Sequence, residues 1–215
     1  MLFAAGNFVF PGGKLDPSDY APESLSLVRG MTPERATRVL DDGGSPAQSL
    51  GHYLAAIREL FEETGILLCT TAEGRTPDLA APEFRASLST GREQVHQRLR
   101  TFASLLRELD LRYDPGVLLY LTRWITPVHS LLRFDTRFFL CQTPPGQDPQ
   151  ACPREVAETR WIQPGEALGR WRVREMRMRP PTVTTLMYLA QYPNVGRLVA
   201  AAASGSIFST ACSIG

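Results

Sequence analysis

Residues 45–65, SPAQSLGHYLAAIRELFEETG, constrain the chain more than any other stretch. Ser45 is followed by Pro46 and, three positions on, by Gln48, the arrangement of a capping box with proline in the first turn; Gly65 suits a left-handed stop. The spacing therefore predicts one helix between those ends. At 100° per residue Leu54, Ile57, Leu60 and Phe61 fall in one apolar sector, and Glu59, Glu62 and Glu63 fall in the opposite one. Glu59 stands at i to Glu62 at i+3 and Glu63 at i+4, which brings three carboxylates onto adjacent turns. At a separation of about 6 Å and an effective dielectric near 20, each close pair costs on the order of 2 to 3 kcal/mol without a counterion. A divalent cation turns that repulsion into binding, and magnesium in particular favours a few carboxylates shared with substrate phosphates. Ala55 and Ala56 beside the acidic sector leave room for a bulky ligand. A plain solvated helical face would also account for RELFEET alone. What favours a site is the upstream pair Gly12 and Gly13, whose backbone can approach a metal or diphosphate where a β-carbon would interfere.

Charge and hydropathy narrow the partners. The 23 basic and 22 acidic side chains nearly cancel, so no global field draws the chain to nucleic acid or to anionic membranes, and an anionic ligand must be held by a local site. No apolar run approaches the roughly 20 residues that cross a bilayer, and MLFAAGNFVF lacks the basic flank of a signal peptide, so a cytoplasmic location is expected. Cys69, Cys141, Cys152 and Cys212 form no CxxC pair, and with only His52, His96 and His129 to join them they predict neither zinc nor a disulfide framework. The ending CSIG has the outline of a prenylation box but no polybasic run before it, and reads as tail.

Along the chain, AAGNFVF reads as a strand stopped by PGG, and TPERATRVLDD as a helix capped by Thr32, opened by Pro33 and ended at Gly43. ILLCT reads as a buried strand. REQVHQRLRTFASLLREL reads as one amphipathic packing helix with Val95, Leu99, Phe102, Leu106 and Leu109 along a stripe. VLLYLTRWITPV and RFDTRFFLCQTP have the β-branched and aromatic content of paired strands, and EVAETRWIQP looks like one more. GEALGRW and PPTVTTLMYLAQY predict two final helices. One domain over 1–200 is expected, with helical insertions at about 17–44 and 73–114 and a loose tail over 201–215.

These residues resemble the box of the Nudix hydrolases: a glycine, a glutamate six further on, then R-E-U-x-E-E-x-G-U with U apolar. Arg58-Glu59-Leu60-Phe61-Glu62-Glu63-Thr64-Gly65-Ile66 matches the second half at every position, and FPGG at 10–13 matches the usual entry. Gly13 lies 45 positions before Arg58, roughly thirty more than in an uninterrupted box. Such an insertion resembles the coenzyme A diphosphatase-like branch, as do NFVFPGG, TRWITP, RFDTRFF, ETRWIQPGEAL and PPTVTTL in that order. Counting back eight from Arg58 gives Leu50, so the first acid of the box is absent there or supplied from elsewhere.

The resemblance implies an α/β fold, a Nudix-type α/β/α sandwich with a mixed sheet, inserted helices and a first strand that this sequence starts too late to include. It also implies hydrolysis of a diphosphate in coenzyme A or acyl-coenzyme A with Mg²⁺ or Mn²⁺ as cofactor. The alternatives are another nucleoside diphosphate derivative, such as ADP-ribose or NADH, and a catalytically silent Nudix-like binding module. Glu59, Glu62, Glu63 and the Gly13 carbonyl are the implied metal ligands, with Arg58 and Glu59 catalytic and Glu59 either a ligand or the group assisting the water. Glu158, placed ahead of Glu155, is a further candidate acid, and Gly12 and Arg137 are candidate substrate contacts. Period two also lets Asp135 pair with Arg133 or Arg137, which is as good an account of that arginine. Trp124, Trp161 and Trp171 serve either as core or as adenine-stacking surfaces. The expected partner is a small-molecule nucleoside diphosphate, with a homodimer left open.

Overall fold

Local signals set the first of two compact units, Pro11–Leu118 with Cys141–Thr159. The computed structural model describes residues 6–129, 133–152, 158–204 and 212–213. After Gly12 and Gly13 the chain makes a 3-10 turn over Pro17–Tyr20, where the Asp16 side chain accepts from the Ser18 N–H and the Asp19 side chain accepts from the Asp16 N–H. Helices α1 (Pro22–Leu25) and α2 (Pro33–Leu40) follow. Thr32 caps α2 by accepting from the Arg35 N–H, but α2 ends at Asp41, in a left-handed conformation, rather than at Gly43. Helix α3 (Pro46–Thr64) has the foreseen ends: Ser45 and Gln48 cap each other, and Gly65 at φ 76° donates to the Phe61 carbonyl at 2.8 Å. Leu50, Tyr53, Leu54, Ile57 and Phe61 are buried along its inner face, and α2 and the 3-10 turn pack on the helix.

Strand β1 is shorter and later than ILLCT suggests, covering Cys69–Thr71, because Ile66, Leu67 and Leu68 are buried without joining a ladder. The expected helix over 92–109 is in fact two, α4 (Pro82–His96) and α5 (Phe102–Glu108). Arg98 adopts φ 57° between them, and the Thr101 side chain accepts from the Ser104 N–H to start α5. Val95, Phe102 and Leu106 are buried, whereas Leu99 in the break is 71% exposed. The two helices cross closely at Gly91, where a β-carbon would overlap the Leu105 side chain. Strand β2 (Leu111–Tyr113) pairs antiparallel with β1. Phe102 joins this layer to α3, its ring 5.2 Å from that of Phe61 and 5.5 Å from that of Tyr113.

The second unit comprises Met1–Phe10, Leu119–Leu140 and Arg160–Gly215. Strands β3 (Leu119–Ile125) and β4 (Asp135–Leu140) pair antiparallel with a bulge between Tyr120 and Thr122. Helices α6 (Pro164–Arg172) and α7 (Pro180–Leu189) are where the sequence puts them; α8 (Val195–Ala203) follows and runs into residues expected as tail. Strand β5 (Cys212–Ser213), also within that expected tail, lies parallel to β3 and makes the sheet mixed. The AAGNFVF strand is reduced among the described residues to one bridge, Phe8 with Met178, closed by the Phe8 N–H on the Arg177 carbonyl at 2.8 Å. Residues 158–164, the described part of EVAETRWIQP, contain no strand, and Pro164 already opens α6. Ala167, Leu168, Met176, Val183 and Leu186 form a core on which Phe8, Phe10 and Trp171 pack. Trp124 is buried, and Trp161 is 64% exposed. No helix among the described residues is long and apolar enough to cross a membrane.

Candidate active site

Arg58 organises the outer face of α3. Its Nε and Nη2 donate to the two carboxylate oxygens of Asp19 at 2.8 and 2.9 Å, Nη1 donates to Oε1 of Glu59 at 2.8 Å and of Glu62 at 2.9 Å, and Nη2 also reaches the Lys14 carbonyl at 3.0 Å. Planar, multiply donating guanidinium chemistry is what makes such a hub possible. Burial disfavours the Arg58 cation, but the hydrogen bonds and charge of Asp19, with Glu59 and Glu62, outweigh it and raise its pKa above the ordinary value. Burial, helped by the negative charges of Glu62 and Asp19, raises the Glu59 carboxyl above the ordinary carboxylate range, while Arg58 opposes it.

The glycine pair meets the same face. The Gly12 N–H donates to Oε2 of Glu63 at 3.1 Å. Gly13 lies so close to Glu59 that a β-carbon there would overlap the carboxylate. The structure thus brings together Gly12, Gly13, Arg58, Glu59, Glu62 and Glu63, residues that the sequence singles out from two separate stretches. Nη1 of Arg58 engages Glu59 and Glu62 together while the Gly12 N–H engages Glu63, and in this arrangement no group of three His, Cys, Asp or Glu side chains among the described residues is gathered closely enough to hold a metal ion.

Asp19 is the residue that sequence reasoning missed. It is 1% exposed, and its carboxylate is committed to Arg58 and to the Asp16 N–H. Asp19 stands six positions after Gly13, the spacing at which the box has its first acid, though as an aspartate, and the inserted residues then follow it. Leu50, the position reached by counting back from Arg58, is a core side chain at 1% exposure. The signal was present in the sequence as Asp16-Pro17-Ser18-Asp19, a capped turn that fixes the carboxylate.

Glu158 is exposed in the segment ending the first unit, and Glu155 is outside the described residues. Arg137, in the second unit, pairs with Asp135 at 3.0 Å; Arg123 on the neighbouring strand grips both oxygens of Asp135 at 2.7 Å.

Residues 36–189 match the family model described as the NUDT19 Nudix domain. The chain is similar to "Acyl-coenzyme A diphosphatase NUDT19" of Homo sapiens, 30% identical over 224 residues that cover 91% of this chain and 59% of the relative. The same-named protein of Gallus gallus is 32% identical over 231 residues, with 91% and 60% covered. "Putative nudix hydrolase 7" of Caenorhabditis elegans is 29% identical over 195 residues, with 88% and 52% covered. The chain thus spans about three fifths or less of the length of these curated relatives. Among solved structures, a NUDIX hydrolase from Alicyclobacillus acidocaldarius superposes with a TM-score of 0.68 at 29% identity, over 94% of this chain and 83% of that one. The fold is therefore the Nudix α/β sandwich with added helices, and the chain belongs to the Nudix superfamily, within the NUDT19 Nudix domain family.

Proposed function

We propose that this chain hydrolyses the diphosphate linkage of coenzyme A or acyl-coenzyme A, giving a phosphopantetheine product and adenosine 3',5'-bisphosphate. The observation that carries the reading is the hub at Arg58, which holds Glu59 and Glu62 in place opposite Gly12 and Gly13. The substrate is drawn from the relatives named acyl-coenzyme A diphosphatase.

The donor set fits a divalent cation such as Mg²⁺ or Mn²⁺: three carboxylates and a glycine carbonyl are all hard oxygen ligands, and the absent β-carbon of Gly13 is the clearance that its neighbour Glu59 needs. Glu59, Glu62, Glu63 and the Gly13 carbonyl would hold it. Bound there, the cation supplies neutralisation of the diphosphate charge and a water of lowered pKa. Arg58 takes Oε1 of Glu59 and of Glu62, so a ligand would be met through their Oε2 atoms. Glu59 serves either as a ligand of that cation or as the group that takes the proton of the attacking water; the water adds in line to one phosphorus and the other phosphate departs. Within this reading Glu158 adds a further acid and Gly12 a backbone contact to substrate; Arg137, paired with Asp135 in its own unit, is kept as a separate candidate phosphate contact.

The test is incubation of purified protein with Mg²⁺ and, separately, coenzyme A, acyl-coenzyme A, ADP-ribose and NADH, with chromatographic separation of products. Preferential cleavage of the coenzyme A substrates is expected. Preference for ADP-ribose or NADH would move the chain to another nucleoside diphosphate, and cleavage of none would leave a binding module.

A further inference from the structure

The acids of α3 sit in its last two turns, where a helix ordinarily frays because its final carbonyls have no partners. Here each of them has one. The Phe61 carbonyl accepts from the Gly65 N–H at 2.8 Å, that of Glu62 from Nε of Arg92 at 2.9 Å, that of Glu63 from the Cys152 N–H at 3.0 Å and that of Thr64 from the Gln150 N–H at 2.7 Å. Three of these four donors come from far along the chain. Arg92 also donates through Nη2 to the Gln150 carbonyl at 2.8 Å, so one guanidinium spans the helix end and the segment laid across it. Gln147 fastens the same segment a second time: its side chain accepts from the Leu67 N–H at 2.7 Å and donates to the Leu67 carbonyl at 3.1 Å. Gly65 completes the fit, since a β-carbon there would lie 3.1 Å from Nη1 of Arg92.

We propose that Arg92 is a positioning residue for the acidic helix: by clasping the Glu62 carbonyl to that of Gln150 it fixes the turn from which the Glu62 and Glu63 side chains project. The proposal rests on the reading of those acids as metal ligands. The physical reason is that a cation site needs its carboxylates held to within fractions of an ångström, and the carbonyls of Glu62 and Glu63 lie in the last turn, where α3 offers them no partner of its own. A guanidinium at a helix C-terminus also opposes the partial negative charge of the exposed carbonyls. The side-chain carboxamide of Gln147 and the backbone donors of Gln150 and Cys152 align the segment across the helix end; Arg92 ties it down.

The test compares the parent with Arg92→Ala and Arg92→Lys. Lysine keeps the charge but cannot reach two carbonyls with a rigid fork. Mn²⁺ affinity, read by electron paramagnetic resonance, is expected to fall by about 10- to 100-fold in Arg92→Ala, as when other groups supporting metal ligands are removed, and by less in Arg92→Lys. Amide hydrogen exchange is expected to quicken at Gln150 and Cys152 while the amides of the first turns of α3 stay protected. Parent-like Mn²⁺ affinity with unchanged exchange in Arg92→Ala would overturn the proposal, as would uniform loss of protection along the whole chain in both variants, which marks a general packing role. Substrate turnover is scored apart: a parent that cleaves nothing but whose local exchange responds as expected would fail the hydrolase reading and keep the clasp.

Discussion

Asp19 and Arg58 face each other across 39 positions of sequence with two nearly equal hydrogen bonds, 2.8 and 2.9 Å, and Asp19 is 1% exposed. The pair is the foundation of the acidic site, because the remaining donor of Arg58 goes to Glu59 and Glu62. Removing Asp19 strips the buried guanidinium of its two-oxygen partner and leaves its charge to Glu59 and Glu62 alone. Asp19→Ala is therefore expected to lower the unfolding free energy by about 3 to 5 kcal/mol, as read from urea denaturation monitored by circular dichroism. An effect within the error of the measurement would mean that water replaces Asp19 without cost.

Gly13→Ala separates geometry from stability. The glycine is exposed and its φ lies outside the left-handed region, so alanine suits the backbone; only the Glu59 carboxylate stands in the way. The added methyl is expected to push Glu59 aside and reduce kcat/KM by about 100-fold, the scale of a misplacement of about 1 Å, with a thermal midpoint close to the parent's.

Glu63→Gln retains an oxygen able to accept the Gly12 N–H, so stability should change by no more than about 0.5 kcal/mol. Turnover of whichever substrate the chain accepts is expected to fall by about 100-fold or more, because an amide is a poor ligand for a hard cation. Full activity in this variant would remove Glu63 from the proposed ligand set.

Much of this site was legible in the sequence because its signals are local. Ser45, Gln48 and Gly65 declare the ends of α3, and the apolar sector from Leu54 to Phe61 declares its buried face. Misreading began where local patterns continue across a break. Val95, Phe102 and Leu106 keep one helical phase on either side of residues 97–101, so the stripe ran on in sequence although Arg98 turns left-handed and Thr101 caps a new helix. Asp19 was hidden for a different reason: its partner is tertiary, and the insertion separates them. Counting forward from Gly13 finds it, whereas counting back from Arg58 lands in the core. EVAETRWIQP has strand composition, but composition does not supply a neighbour to pair with.

Asp135 predicts a pH dependence in the second unit. The hydrogen bonds from Arg123 lower its carboxyl below the ordinary carboxylate value against some burial, and Arg137 adds to the lowering. A depressed pKa means that the unfolded chain binds the proton first as pH falls. The stabilisation is thus complete above the unfolded value near 4 and is lost as pH drops through the lower folded value. The gap in urea midpoint between the parent and Asp135→Asn is expected to be constant from pH 7 to 5 and to close below pH 4. A gap that instead widened in acid would contradict the sign.

Leu50→Glu tests where the box is interrupted. If the insertion preceded the first acid, glutamate at this position would restore a missing group and improve metal binding. The structure argues the opposite: Leu50 is 1% exposed on the inner face of α3, and the acid of the box is already present as Asp19. A carboxylate there would be buried among apolar side chains without a partner. The expected result is destabilisation by more than about 4 kcal/mol, or failure to accumulate folded protein, with no gain in Mn²⁺ affinity in any fraction that folds. A stable variant that bound Mn²⁺ more tightly would return the first acid to position 50 and reduce Asp19 to a turn residue.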